Sequence, residues 1–369
     1  MRVPSNLIQS QMIHTLQRSL TRISRLQTEI ATGKRLLKPS DDPTGTFRML
    51  SYRRSQDANQ QFQRNITDGL RWTTTTEGAL QSLVDGMMTV KEIAVQGSDD
   101  TPDVRPSLGF TIDQVLEEFL DMASTTLGDR YIFSGHDTST APFTPSREVT
   151  GDSFAAAAAG EEADLIHARI ASGTVTIRNE AGTVTYTEGV DYTVDHDTGR
   201  VSILAGGSMT EGETYVAEYE TTTVSSVEVA VPMTGDMLRR MGDDRQIKVN
   251  MLGSEVFTDG VDLFQLAIDL KNALWKNDGE AVRALMDKVD GALDGATQKL
   301  GIIGTRAESL ESRVSELEST DLFLESLIGG IEGADLPEVL IQLQGEEMGY
   351  EAALTAASRL YKLNLMRFI

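Results

Sequence analysis

Cysteine is absent from the 369 residues. That excludes a disulfide framework, cysteine-ligated zinc and thiol catalysis. Histidine is scarce: His14, His136, His167 and His196 are scattered and carry no metal-ligand spacing. Long apolar runs are missing. The alanine run Ala155–Ala159 falls far short of the ~20 residues that cross a bilayer. The opening MRVPSNLIQSQM lacks the continuous apolar stretch of a cleaved export signal. Basic residues are outnumbered, 33 Lys and Arg against 56 Asp and Glu, for a net charge of −23. Such a surface repels nucleic acid and anionic membranes. With 40% hydrophobic residues the chain can still bury cores, and its length suits two or three domains.

The charge is uneven. Residues 1–72 hold twelve Lys and Arg against five acids, a net of +7, which leaves −30 for the rest. This is either a solvated helix face or a basic arm that seeks an acidic neighbour, in the same chain or in another copy. Met12, Leu16, Ile23, Leu26 and Ile30 follow three- and four-residue spacings, with Ser19 filling one position. That is a narrow coiled-coil seam rather than the broad stripe of a globular helix. Gly33 stops it, and Lys38-Pro-Ser-Asp-Asp-Pro43 reads as a turn in which Ser40, Asp41 or Asp42 caps the next helix. Gly69 and Thr73–Thr76 are expected to weaken that second helix before Leu80, Leu83, Met87, Val90 and Ala94 resume the seam. Leu108, Ile112, Val115, Phe119 and Met122 predict a third, returning antiparallel.

From 145 to 252 the period changes to two. Thr174–Arg178 and Thr183–Thr187 alternate around a Glu180-Ala-Gly182 loop, and Tyr192–Val194 pairs with Arg200–Leu204 across His196–Gly199. These hairpins predict a small antiparallel sandwich or barrel, with Phe154–Gly160 as a loose connection. Helix then returns. Leu263, Leu266, Leu270 and Leu274 mark one, and Val282, Leu285, Val289 and Leu293 another. Ile303, Ala307, Leu310, Val314, Leu317, Asp321, Leu324, Ile328 and Ile331 hold a strict 4-3 rhythm. Leu336, Leu340, Leu343, Glu347, Tyr350, Leu354, Ala357, Tyr361, Asn364 and Phe368 form the last, where Glu347 and Asn364 would set register.

The expected fold is therefore α+β: a long antiparallel coiled-coil or helical bundle from both chain ends, with an inserted all-β domain. The divisions are 1–144, 145–252 and 253–369. Thin stripes cannot bury themselves alone. Met12, Leu16, Ile23, Leu26, Ile30, Leu343, Tyr350, Leu354, Ala357, Tyr361 and Phe368 are accordingly expected at a subunit interface as well as within the chain. Ile303, Leu310, Val314, Leu317, Leu324 and Ile328 are expected to hold the bundle.

Motifs with catalytic or ligand chemistry are weak. Thr32-Gly-Lys-Arg lacks the first glycine of a phosphate loop, since Thr28 stands in its place. Asp41 and Asp42 suit capping better than acid–base work. Asp195–Gly199 hints at a calcium loop but lacks the closing glutamate. No nucleophile elbow occurs. Asn65-Ile-Thr67 lies within a helix, and Trp72 and Trp275 sit at packing positions. No catalytic, cofactor or metal site is assigned, which points to an assembly protein.

Ala31-Thr-Gly-Lys-Arg-Leu-Leu-Lys-Pro-Ser-Asp-Asp-Pro43 resembles the N-terminal signature of the flagellin family, and Arg64–Gly69 and Thr75–Leu80 resemble the run that follows it. Arg130–Gly135, Ala141–Phe143 and the ending Tyr350–Leu354 with Leu360–Phe368 resemble the branch whose members join hook to filament. The resemblance covers both helical blocks and leaves the β insert unmatched. It implies an extracellular, non-enzymatic subunit of the bacterial flagellum, exported through the flagellar type III channel without a cleaved signal. It also implies partners: further copies in a ring, the other junction protein, flagellin, and an export chaperone on the C-terminal helices. Alternatives are a filament subunit or a surface-binding adhesin acting through the insert.

Overall fold

The computed structural model describes residues 5–99, 103–158 and 161–365, with side chains from 10 to 359 within them. It opens with three helices: α1 (Ser5–Thr32), α2 (Pro43–Ser98) and α3 (Arg105–Ala123). Short strands follow: β1 (Thr126–Leu127), β2 (Arg130–Tyr131), β3 (Phe143–Ser146), β4 (Glu148–Ala155), β5 (Glu162–Asp164), β6 (Thr176–Asn179) and β7 (Thr185–Tyr186). They continue with β8 (Tyr192–Asp195), β9 (Arg200–Ile203), β10 (Thr214–Glu220), β11 (Ser226–Val229), β12 (Leu238–Arg240) and β13 (Gln246–Lys248). A π-helical turn, Ser254–Thr258, leads into α4 (Leu263–Trp275), α5 (Gly279–Glu332) and α6 (Leu336–Leu365). The class is α+β, with small antiparallel sheets between two helical blocks. Two compact units form: residues up to Gln63 with those from Val314 onward, and Arg64–Arg313. Both α2 and α5 contribute to each.

Local chemistry explains the helix boundaries. Gly33 ends α1 at φ +68°, a conformation that costs glycine little. Asp41 Oδ2 accepts the amides of Leu37 (3.2 Å) and Lys38 (3.0 Å), closing the turn. Asp42 Oδ1 accepts the Gly45 amide at 2.8 Å, and Pro43 opens α2. The threonine run does not interrupt α2. Thr73, Thr75 and Thr76 each donate to the carbonyl four residues back, at 2.8–3.1 Å, so their hydroxyls are satisfied inside the helix. The helix marked by Val282–Leu293 and the seam from Ile303 to Ile331 are one continuous helix, α5.

In the Arg64–Arg313 unit, α2 and α5 run antiparallel, as the Lys91–Asp290 ion pair (2.7 Å) and the approach of Gly69 to Leu310 indicate. Leu80, Leu83, Met87, Ile112, Leu116, Phe119, Leu270, Leu274, Val282 and Val289 are buried, together with Trp72. The helices pack at small residues: a Cβ on Gly109 would lie 2.5 Å from Trp275 Nε1, and one on Gly86 would lie 2.7 Å from Phe119 Cε1.

The β insert is built from two antiparallel sheets, ordered β4-β10-β6-β7 and β5-β9-β8. They share one core, to which Phe154, Ile177, Tyr215 and Tyr219 come from the first and Tyr192, Val201 and Ile203 from the second. This is sandwich packing. Both expected hairpins form, as β6–β7 and β8–β9. Phe154–Gly160 is not simply a loose connection: Phe154 and Ala155 finish β4, and Phe154 and Ala156 are buried.

Polar side chains of α4, and of Lys276 just past its end, hold the insert by its backbone. Lys271 Nζ donates to the Val224 carbonyl at 2.7 Å and pairs with Asp113 at 2.6 Å. Asn272 Oδ1 accepts the Ala168 amide at 3.2 Å, and Lys276 donates to the carbonyls of Leu165 and Ile166. Burial pushes the Lys271 ammonium below its usual range, while Asp113 pulls the other way. Inside the insert, Tyr219 donates to Asp152 at 2.5 Å, and His167 contacts both the Tyr219 hydroxyl (3.2 Å) and the Ser225 carbonyl (3.1 Å). Burial, first, and the Asp152 carboxylate raise the Tyr219 phenol well above its usual range.

Gly109→Ala tests the packing. Alanine is the better helix former by up to ~1 kcal/mol, but the new methyl meets a buried indole, and overpacking costs about 1–3 kcal/mol. The expected result is a lower melting temperature by circular dichroism.

Candidate assembly interface

In α1 the less exposed positions are Met12, Leu16, Ser19, Ile23, Leu26 and Ile30, with the buried Glu29 beside them. In α6 they are Val339, Leu343, Glu346, Tyr350, Ala353 and Ala357. Both series step four and three residues alternately, and the two helices pack against each other. Their direction is antiparallel: Arg22 pairs with Glu346 at 2.8 Å, while the Arg35 amide donates to the Glu332 carbonyl at 2.7 Å. Small residues thin the contact in the middle. Gly345 and Gly349 leave a polar cleft of about 860 Å³, lined also by Arg22, Arg25, Glu29 and Glu338.

The structure therefore brings Met12, Leu16, Ile23, Leu26 and Ile30 together with Leu343, Tyr350 and Ala357 inside one chain. Leu354 is not among them and lies exposed. The Tyr361 side chain and Phe368 lie outside the described residues. Leu336 and Leu340, expected on the seam, face solvent as well. Val339, Glu346 and Ala353 take the inward positions that leucine content had suggested for Leu340, Glu347 and Leu354. Stepping back from Tyr350 by four, three and four residues gives 346, 343 and 339, so spacing alone could have found them. Glu347 is exposed, and it is Glu346 that makes the cross-helix ion pair.

The outer flanks remain apolar. Ile13 and Leu20 are exposed on α1, and on α6 Ile341 and Met348 are 71% and 67% exposed, beside Leu354. Of the bundle residues, Ile303 and Leu310 are buried in the Arg64–Arg313 unit. In the terminal unit Leu317 and Leu324 are buried, and Val314 and Ile328 are half-buried.

Glu332, which sequence reasoning passed over, ties the two inter-helix turns together. Its carboxylate accepts from Lys34 Nζ at 2.5 Å and from Arg53 Nη2 at 2.7 Å. The Ala334 amide donates to the Gly33 carbonyl at 3.0 Å, and Arg35 Nη2 donates to the Ile331 carbonyl at 3.1 Å. Burial alone would raise the carboxyl, but Lys34 and Arg53 outweigh it and hold it below the usual carboxylate range.

Candidate chemistry elsewhere resolves into local structure. Asp195 accepts from the Asp197 amide (3.0 Å) and the Thr198 hydroxyl (2.7 Å), which makes that loop a hairpin turn. Among the described residues no group of three or more His, Asp or Glu is placed to hold a metal, and no helix is long and apolar enough to cross a membrane.

The bacterial flagellin N-terminal helical region matches residues 3–138 of this chain. A second family, described only as a protein of unknown function, matches 137–236 and so covers most of the insert. The chain is also similar to flagellar hook-associated protein 3. It is 29% identical to that of Escherichia coli K12 over 150 residues, 40% of this chain and 47% of that protein. To that of Salmonella typhimurium LT2 it is 27% identical over 146 residues, 39% of this chain and 46% of the other. The match thus spans about half the length of these curated relatives. A solved structure of a hook-associated-type flagellar protein from Vibrio parahaemolyticus shares the fold, with a TM-score of 0.51 and 14% identity, over 79% of this chain and all of that one.

A carboxylate held low by its partners contributes stability above its unfolded pKa and loses it as pH falls through the folded value. The Glu332 clamp is therefore expected to loosen in acid, at and below the ordinary glutamate range. Amide exchange at Arg35 and Ala334 should speed up there in the wild type. Glu332→Gln should exchange faster already at neutral pH and respond little to acid; a wild-type profile in this variant would show that the carboxylate does not hold the turns.

Proposed function

We propose that this chain is a structural, non-enzymatic subunit of the bacterial flagellum that joins hook to filament by packing its terminal helices. The α1–α6 pair carries the reading. Each helix spends its inward stripe on the other and keeps Ile13, Leu20, Ile341, Met348 and Leu354 outside. Apolar area left on a paired helix is available to neighbours, and each fully buried Leu or Ile contributes roughly 1.5–3 kcal/mol. The flagellin-type N-terminal region and the similarity to hook-associated protein 3 support the same assignment.

In this role copies form a ring between the other hook-associated junction protein and flagellin. The C-terminal segment, with Leu343, Tyr350, Leu354, Ala357, Tyr361 and Phe368, is the part of the chain an export chaperone would shield. The chain reaches the cell exterior through the flagellar type III channel, and a chain without cysteine passes such a channel unencumbered by disulfides. The 137–236 segment is the outward-facing part.

Cells lacking the chain are expected to keep their hooks and to release unpolymerised flagellin into the medium; normal filaments on such cells overturn the junction role. Removing residues 1–30 and 340–369 is expected to abolish incorporation into flagella while Arg64–Arg313 keeps its own melting transition. Incorporation of the truncated chain would place the interface elsewhere.

A further inference from the structure

The joint between α4 and the insert encloses three buried titratable side chains: Asp152 of β4, His167 after β5, and Tyr219 of β10. Their hydrogen bonds are one proton short. His167 Nε2 faces the Ser225 carbonyl at 3.1 Å. A carbonyl only accepts, so Nε2 holds the one proton of a neutral ring. Nδ1 is then a lone pair, 3.2 Å from Tyr219 Oη. The hydroxyl has a single proton and donates it to Asp152 Oδ2 at 2.5 Å, while its oxygen receives the His167 amide at 3.3 Å. Nδ1 therefore lacks a donor. Asp152 Oδ1 is buried with no hydrogen-bond partner among the described residues. The same ring lies where the insert is gripped. Lys276 donates to the Leu165 and Ile166 carbonyls, Asn272 accepts the Ala168 amide, and Lys271 donates to the Val224 carbonyl beside Ser225. The charged groups that face the ring divide in sign. Asp152 favours a proton on it, and the Lys271 and Lys276 ammonium groups oppose one. Behind them, Asp113 pairs with Lys271 and Asp164 acts on Lys276.

We infer that His167 is an acid-sensing latch of the β insert: its neutral ring lets two ammonium groups grip the adjacent backbone, and a proton taken up at Nδ1 sets a third cation beside them and loosens the grip. The position is built to take that proton, because Nδ1–H would donate to Tyr219 Oη and complete the chain to Asp152. Burial, first, and the two ammonium groups outweigh this gain and hold the imidazole below its usual range. A histidine depressed in the folded state contributes stability above its unfolded value, about 6.5. That stability is lost as pH falls from there through the folded value. The loss falls on the attachment of the insert, since α4 and Lys276 hold the backbone on both sides of the ring. The latch is independent of the junction role and of the Glu332 clamp, which lies in the other compact unit.

The test follows amide exchange of the purified full-length chain by mass spectrometry, from about pH 8 to about pH 5, corrected for the intrinsic pH dependence of exchange. Exchange in 165–168 and 223–225 is expected to rise severalfold on the acid side. His167→Gln keeps a neutral donor toward the Ser225 carbonyl but takes up no proton, and should remove the rise. The three other histidines and the carboxylates stay in that variant, so a dependence caused by them would persist there. A second readout needs no change at His167. Ring-proton NMR of the wild type should show His167 titrating below the ordinary imidazole range. Asp152→Asn, which removes the carboxylate that favours the proton, should move that titration lower still. Unchanged exchange in the wild type on acidification, an equal rise in His167→Gln, or a His167 ring that titrates in the ordinary range would each overturn the inference.

Discussion

A long helix with a thin apolar stripe has no stable free form, because the seam buries too little area to offset the ordering of its backbone. This constraint governs both ends of the chain. α1 and α6 answer it by pairing antiparallel, inward position against inward position, with one ion pair, Arg22–Glu346, setting register. The connection is reinforced where the helices turn back. There Glu332 collects Lys34 and Arg53, and the backbone of Gly33–Arg35 bonds to that of Glu332–Ala334. An exposed ion pair alone contributes little. A carboxylate that is mostly buried and shared by two cations, beside three further hydrogen bonds, specifies how four helix ends meet.

The Arg64–Arg313 unit meets the same need differently. Its helices have broad buried faces, approach closely at glycines and enclose two indoles. The insert is attached by side chains of α4 and of Lys276 just after it, which bond to backbone carbonyls and an amide. Main-chain atoms are the same whatever side chain they carry, so the attachment constrains the path of residues 165–168 and 224 more than their identity. A distinct β domain, with a family match of its own over 137–236, is thus compatible with a flagellin-type helical core.

Much of this was legible from residue order. Periodicity located the helices, the shift to period two located the strands, and Gly182 and Gly199 located two hairpin turns. Errors arose where one signal had competing readings. Gly69 and Thr73–Thr76 have poor helix propensity, yet back-bonding hydroxyls and burial of Trp72 keep α2 intact. Leucine content drew the α6 seam one position off, because Leu340 and Leu354 are more hydrophobic than the Val339 and Ala353 that face α1. Buried polar groups such as Lys271 and Glu332 were invisible, since their partners lie far away in sequence.

Sequence by itself determined the element types, the turn chemistry, the absence of thiol chemistry and the flagellin-type signature. All of these depend on neighbours within a few residues or on composition. Tertiary structure decided which side of each seam helix faces inward, which acids are clamped, and which apolar residues are left over at the surface. Those outcomes are set by contacts between segments some three hundred residues apart, where burial and partner geometry, rather than local preference, choose among faces of nearly equal hydrophobicity.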